Sequence, residues 1–124
     1  ILQREPANAA ALNTLGYTLA DRTTRYQEAY DYIKRALELQ PQDFAILDSM
    51  GWVLFKLGKH EEALTYLRRS WDAGQDAEVA AHLGEVLWVT GDQPGAREIW
   101  RHALEKAPDH KMLRGVMQRF GVKL

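Results

Sequence analysis

The sequence predicts an all-α fold, a solenoid of three helix pairs closed by a capping helix. Two observations lead to this prediction. Landmark residues recur at intervals of about 34 residues, which is the period of several helical repeat families. Each unit also divides into two segments whose apolar residues are three and four positions apart, the spacing of one helix face. Stacked pairs of amphipathic helices are the expected result.

A glycine inside the first helix of each unit gives the clearest repeat signal. Gly16, Gly51 and Gly84 are spaced by 35 and 33 residues. A glycine in a helix interior costs about 1 kcal/mol relative to alanine, so three at the same phase require a packing reason. We expect each glycine to face a small residue on the second helix of its pair, which lets the two backbones approach closely. The facing residues are predicted to be Ala29, Ala63 and Ala96.

Residues that favour helix ends fall between these segments. Side chains suited to N-caps are Asn8, Asp43, Asp76 and Asp92. Thr24 with Gln27 forms a capping-box pattern before another helix. Gly58 and Gly91 stand where left-handed C-caps are expected.

The repeat phase sets the predicted organisation of the chain. Three units are expected at 8–42, 43–76 and 77–110. Residues 1–7 align with the ends of the later units, so we expect them to be the tail end of a preceding repeat in a longer array. Residues 111–124 are expected to form a C-terminal capping helix with a polar outer face, which repeat arrays need for solubility. Its apolar side would comprise Met112, Leu113, Val116, Met117 and Phe120.

The pattern of glycines, alanines and paired helices resembles the tetratricopeptide repeat (TPR) family over residues 9–110. This resemblance implies a right-handed solenoid that serves as a protein-interaction scaffold. Arrays of this kind bind through a concave surface, which the first helices line. Positions beside the buried stripe of those helices should therefore face a groove, where aromatic anchors with polar neighbours suit a peptide.

Nine residues are the resulting candidates for protein or peptide binding. They are Asn13, Tyr17, Asp48, Trp52, Phe55, Lys56, His82, Glu85 and Trp88. We expect Tyr17 and Trp52 to be exposed in the groove. For Phe55 and Trp88, packing inside the array is an equal alternative, because aromatic residues at helical spacing are often core residues.

Composition argues against several other classes of function. The chain has 124 residues, 46% of them hydrophobic, and a formal net charge of −1, so it lacks the positive charge expected of a nucleic-acid-binding protein. It has no cysteine, which removes disulfides and thiolate chemistry. Its apolar runs are shorter than a bilayer span requires, so we expect no direct membrane insertion by this segment.

The chain is not expected to be an enzyme or to bind a cofactor or metal. His102 and Glu105 are one helical turn apart and His110 follows Pro108, which is the nearest approach to a metal site. A third ligand on the same helix is missing, so a solvated outer face is the favoured interpretation. An enzyme that uses these three residues remains the minor alternative.

A narrower resemblance rests on LGYTLADRT, DSMGWVLFKLG and HLGEVLW. These stretches are similar to the C-terminal repeats of proteobacterial outer-membrane TPR lipoproteins, which include the LbcA-type adaptor of a periplasmic carboxyl-terminal processing protease. The resemblance implies an adaptor segment on the periplasmic side of the outer membrane, with that protease or its protein substrates as partners. A clamp for C-terminal carboxylates is not expected, since Asp48 and Glu85 would repel such a group.

Two further possibilities concern the array itself. The segment could be purely architectural, extending the scaffold without a ligand of its own. Weak self-association through the N-terminal end is also expected if no other repeat covers it, because exposed apolar patches favour association.

Overall fold

Seven helices form the part of the chain that the computed structural model describes, residues 8–123. In chain order they are α1 (Ala9–Arg22), α2 (Tyr26–Leu39), α3 (Phe44–Lys56), α4 (His60–Gly74), α5 (Ala77–Val89), α6 (Gln93–Lys106) and α7 (Lys111–Arg119). These residues contain no strand, and the all-α prediction is confirmed. The predicted repeat tail at 1–7 lies outside the described residues, as does the last residue of the predicted cap.

The helices pack as three successive pairs. α1 packs on α2, α3 on α4 and α5 on α6, while each second helix also contacts the first helix of the following pair. The first helices form a continuous row of their own, because α1 contacts α3, α3 contacts α5 and α5 contacts α7. This row is the side of the solenoid on which the sequence predicts the concave surface. The pairs fall within the three predicted units, whose exact boundaries stay a prediction.

The recurring glycines lie where the two helices of a pair meet. A Cβ added to Gly51 would be 2.5 Å from Cγ of Leu67 and 3.1 Å from the backbone oxygen of Ala63. A Cβ on Gly84 would be only 2.0 Å from Nε1 of Trp100. The glycines thus face the second helices, as predicted, but the tightest neighbour is the large residue four positions after the predicted alanine. The missing side chain makes room for that residue as well as for the backbone.

Most of the predicted helix ends are confirmed. Asn8, Asp43, Asp76 and Asp92 each accept a hydrogen bond from a backbone N–H in the first turn of the helix that follows. Gly58 and Gly91 have φ of 83° and 102°, the left-handed conformation expected after a helix. Gln75 takes the left-handed conformation at the end of α4, with φ of 50°.

The capping box predicted at Thr24 is wrong. α2 begins at Tyr26 and has no side-chain cap. The preceding Thr23 organises the turn instead, because its hydroxyl donates to the carbonyl of Leu19 at 2.6 Å and accepts from the N–H of Arg25 at 3.0 Å.

The last helix covers the end of the hydrophobic core. Leu113, Val116 and Met117 of α7 are buried, as the apolar side of the cap predicts. Met112 differs from the prediction, since it is 37% exposed. None of the helices in residues 8–123 combines the length and apolar character that crossing a membrane requires.

Candidate binding groove

A groove of about 470 Å³ opens on the side of the molecule formed by the first helices. It lies toward the N-terminal halves of α3 and α5 and reaches the residue before α7. Its lining consists of Asn13, Thr14, Tyr17, Thr18, Phe44, Ala45, Asp48, Ser49, Asp76, Glu78, Val79 and His110. All three helix pairs therefore contribute to one surface, which we call the concave groove.

The lining of the concave groove is acidic. Its described residues include three carboxylates and neither lysine nor arginine. Within residues 8–123, Asp76 and Glu78 have no ion-pair partner, and both are accessible to solvent. Partial burial raises the pKa of Glu78, and although His82 opposes this shift, the negative charges of Asp48 and Asp76 add to it. Asp76 and Glu78 thus give the groove a negative charge that no lysine or arginine in its lining offsets, although His82 and His110 lie near Glu78.

Asn13 and Tyr17 bring polar atoms into the same groove from α1. The Oδ1 atom of Asn13 is buried and has no hydrogen-bond partner among the described residues. Tyr17 is half-buried, and its hydroxyl lies 3.4 Å from Nε2 of His82. The pKa of Tyr17 is raised, chiefly by burial and then by the nearby charges of Asp21, Glu78 and Asp48.

A buried ion pair lies beneath the groove and joins α3 to α5. Nδ1 of His82 is 2.9 Å from both carboxylate oxygens of Asp48, and both residues are buried. Burial lowers the pKa of His82, but the charge and hydrogen bond of Asp48, together with the charges of Glu78 and Glu85, outweigh it and the net shift is upward. When the ring is protonated, Nδ1–H donates to Asp48 and Nε2–H lies toward the Tyr17 hydroxyl.

The predicted exposure of Trp52 is wrong. Its side chain is only 6% exposed and stacks on the ring of His82, with centroids 4.2 Å apart. Trp52 lies one turn after Asp48 on α3, and its indole packs against His82 on α5 and is not part of the groove lining. The ammonium of Lys56 lies 4.8 Å from the centre of the indole, and Phe55 packs against it at 5.4 Å.

The two remaining candidates on α5 face α7. Glu85 is 8% exposed and accepts a hydrogen bond from the guanidinium of Arg119 at 2.7 Å. Trp88 is half-buried, with its ring centre 5.8 Å from those of Trp100 and Phe120. Both residues hold the capping helix in place, and neither lines the concave groove.

The structure thus separates the nine sequence candidates into two groups. Asn13, Tyr17 and Asp48 line the concave groove. The other six form what we call the inter-repeat row, namely Trp52, Phe55, Lys56, His82, Glu85 and Trp88. Whether any of the nine contacts a ligand stays a prediction.

Sequence reasoning missed nine residues of the groove, most of them in or just before the first turns of α3, α5 and α7. These are Thr14, Thr18, Phe44, Ala45, Ser49, Asp76, Glu78, Val79 and His110. The spacing of the N-cap residues was a usable signal. Asp76 follows Asp43 by 33 residues and His110 follows Asp76 by 34, and His110 caps α7 as the two aspartates cap α3 and α5. The sequence candidates outside the groove lie one or more turns further along α3 and α5 than the groove residues of those helices.

The histidines considered as metal ligands take part in different contacts. His102 lies edge-on to Trp71, with ring centres 5.5 Å apart, whereas Nδ1 of His110 accepts the N–H of Leu113 at 3.3 Å. Across residues 8–123, no three histidine, aspartate or glutamate side chains are grouped as metal ligands would be.

Comparison with known proteins agrees with this architecture. Two family models, both described as tetratricopeptide repeat, match residues 1–44 and 23–83. The chain belongs to the tetratricopeptide repeat family. A curated TPR repeat-containing protein of Pseudomonas aeruginosa, PA4667, is 59% identical over 85 residues, which is 68% of this chain. The match spans only 14% of the length of that relative.

Solved TPR structures share the fold at low sequence identity. The thermophilic TPR protein TTC0263 of Thermus thermophilus has a TM-score of 0.82 at 20% identity, covering 98% of this chain and 68% of its own. The Sgt2 TPR domain of Aspergillus fumigatus gives 0.79 at 18% identity, covering 90% and 75%. The first TPR of Spaghetti (RPAP3), solved bound to the HSP90 peptide SRMEEVD, gives 0.74 at 17%, covering 92% and 94%. Each likeness concerns the fold alone.

Proposed function

We propose that this TPR segment is a non-catalytic binding module that holds a protein or peptide ligand in the concave groove. The observation that carries the proposal is the groove itself, about 470 Å³ and open between three helix pairs. Peptide-sized and drug-sized ligands occupy clefts of roughly 300–1,000 Å³. Asn13 offers an acceptor without a partner among the described residues, and Tyr17 supplies an aromatic surface.

The family supports this proposal. TPR proteins generally mediate protein–protein interactions, and the Spaghetti (RPAP3) domain was solved with a peptide ligand. The ligand of that domain, SRMEEVD, contains three acidic residues. The groove of this chain is itself acidic, so we do not propose an acidic ligand for it. The proposal takes from that domain only the use of a TPR surface to bind a peptide.

The larger role that we propose is that of an adaptor segment. The Pseudomonas aeruginosa relative is much longer than the matched region, which is consistent with a segment of a longer array. Similarity of the repeat sequences to outer-membrane TPR lipoproteins supports a place on the periplasmic side of the outer membrane. A periplasmic carboxyl-terminal processing protease, or a substrate delivered to it, is the partner that this resemblance suggests.

A second candidate function is architectural. In the inter-repeat row, Trp52, His82 and Glu85 are buried, and the two charged members among them pair with residues of neighbouring helices, His82 with Asp48 and Glu85 with Arg119. Such contacts stabilise the stacking of repeats without any ligand. A segment with this role alone would extend the array or associate with its own copies.

Blocking the groove separates the two candidates. Thr14 is exposed on α1 and lines the concave groove, whereas Thr65 is exposed on the outer helix α4. Parent, Thr14→Trp and Thr65→Trp would each be immobilised and exposed to cell-envelope extract from the source organism. Captured proteins would be identified by mass spectrometry, purified and titrated against the three chains by calorimetry.

We expect Thr14→Trp to weaken binding of the captured partner at least about tenfold, because the indole fills the groove, while Thr65→Trp binds like the parent. Equal binding by all three chains would remove the groove as the site. Recovery of only the chain's own copies would favour the architectural role.

A further inference from the structure

The concave groove is lined by carboxylates and by no lysine or arginine from residues 8–123. Asn13 Oδ1 is buried without a donor among the described residues, and the side chains of Asp76 and Glu78 offer further acceptors. Asn13 Oδ1 has almost no access to solvent, so a donor of the ligand reaches it only when the amide turns toward the groove that Asn13 lines. That turn is favourable when a donor is present, because a buried acceptor without a partner is unfavourable.

Of the three groove carboxylates, only Asp48 has an ion-pair partner among residues 8–123, while Asp76 is partly satisfied by a cap hydrogen bond. Asp48 is paired with His82, and one oxygen of Asp76 accepts the N–H of Glu78 at 2.9 Å as the cap of α5. Asp43 caps α3 and His110 caps α7, so the N–H groups at these helix ends already have acceptors and do not require an anion. Glu78 and the uncapped oxygen of Asp76 therefore set the charge that a ligand meets.

We infer that the concave groove binds a lysine or, better, an arginine side chain of the partner polypeptide, with Asn13 Oδ1 and the Glu78 carboxylate as acceptors and Tyr17 beside the cation. The inference rests on the proposed function and specifies the partner as a basic segment. Arginine fits best because its planar guanidinium has five donors and stacks on aromatic rings. Burial is the main cause of the raised pKa values of Glu78 and Tyr17, and nearby carboxylates add to both shifts.

A set of three capped pentapeptides tests the inference directly. Each has two alanines on either side of a central residue, which is arginine, its neutral isostere citrulline, or glutamate. They would be titrated into the isotopically labelled 124-residue chain at low ionic strength, with backbone amide shifts followed by NMR. The variants are Glu78→Gln and Asn13→Ala, and the matched control is Glu98→Gln, a carboxylate on α6 outside the groove.

We expect the arginine peptide to shift amides around Asn13, Tyr17 and Glu78 and to bind about three- to fivefold more tightly than the citrulline peptide. This modest ratio reflects the access of solvent to Glu78. Glu78→Gln and Asn13→Ala should each lose about threefold in affinity for the arginine peptide, and added salt should reduce it further. Glu98→Gln should bind like the parent.

Three outcomes would overturn the inference: equal binding of arginine and citrulline peptides, tighter binding of the glutamate peptide, or shifts centred outside the groove. These outcomes are independent of the test of the proposed function. If Thr14→Trp abolishes partner binding while arginine and citrulline bind equally, the groove remains a protein-binding site and only its preference for a cation fails. If the arginine preference holds while Thr14→Trp leaves partner binding intact, the proposed function fails instead.

Discussion

The indole of Trp100 fills the space beside Gly84, so this glycine has no room for even a methyl group. A Cβ would lie 2.0 Å from Nε1 of a side chain that is itself fully buried. Alanine should gain about 1 kcal/mol in helix propensity, but overpacking typically costs about 1–3 kcal/mol or more. We therefore predict that Gly84→Ala lowers the free energy of unfolding, measured by urea denaturation followed by circular dichroism.

Gly115 provides the matched control for that experiment. It lies within α7 and is exposed, and a Cβ added there would have no neighbouring heavy atom within 4 Å. Gly115→Ala should raise the free energy of unfolding by up to about 1 kcal/mol, because propensity acts there without a steric penalty. If both variants shifted stability in the same direction, steric packing would not be the reason for the glycine at position 84.

At the scale of helices, Trp52 is a buried side chain through which α3 packs against α5. It is 6% exposed and stacked on His82. Truncating a buried tryptophan typically costs about 3–5 kcal/mol, so Trp52→Ala should destabilise the fold by roughly that amount. Phe44→Ala is the comparison, since Phe44 is 37% exposed and should cost less. Thermal melting of the two variants checks the order, and a Trp52→Ala chain as stable as the parent would place the indole in solvent after all.

The helices and their ends were largely predictable because the signals are local. An aspartate before an apolar helical segment caps that segment whatever the rest of the chain does, as Asp43 and Asp76 show. The direction of Trp52 was not predictable in this way. The indole stacks on His82, which is 30 residues further along the chain. This contact forms only because the stacking of the repeats places the two rings side by side. Hydrophobic periodicity predicts which face of a helix is buried. It does not predict which neighbouring helix packs against each turn of that face.

At the scale of the whole molecule, the buried ion pair makes stability depend on pH. The pKa of His82 is raised above 6.5 in the folded state, so the folded chain binds the proton more tightly than the unfolded chain. The resulting stabilisation is fully present below pH 6.5 and is lost as the pH rises through the folded pKa. We predict that the free energy of unfolding falls as the pH rises above 6.5, measured by urea denaturation at fixed ionic strength.

The control for this pH dependence is His82→Gln, which keeps a hydrogen-bond donor but cannot titrate. The carboxylates of Asp48, Glu78 and Glu85 that act on His82, and the hydroxyl of Tyr17 beside it, are present in both chains. The other three histidines, His60, His102 and His110, are also common to both. The variant should therefore show a flatter profile, and an identical slope in both chains would assign the pH dependence to other groups.

The candidate site was predictable only in part, for a geometric reason. Counting along the first helices identified Asn13, Tyr17 and Asp48, because these positions flank the buried stripe. Glu78 and His110 were missed, since their places in the groove depend on how far each repeat is displaced relative to the one before. That displacement is a property of the stacked array and is absent from any single repeat. Self-association through the N-terminal end likewise stays a prediction, although Leu12 in that region is buried.

The contact between the Tyr17 hydroxyl and His82 joins the first helix pair to the third, across 65 residues of chain. Solenoid repeats ordinarily contact only their immediate neighbours, which lets the terminal repeat open without disturbing those beyond the next. Here, fraying of α1 withdraws Tyr17 and uncovers the imidazole ring on α5. Loss of order in α1 therefore removes a contact of α5, two repeats away. This coupling makes the three helix pairs unfold more nearly as one cooperative unit.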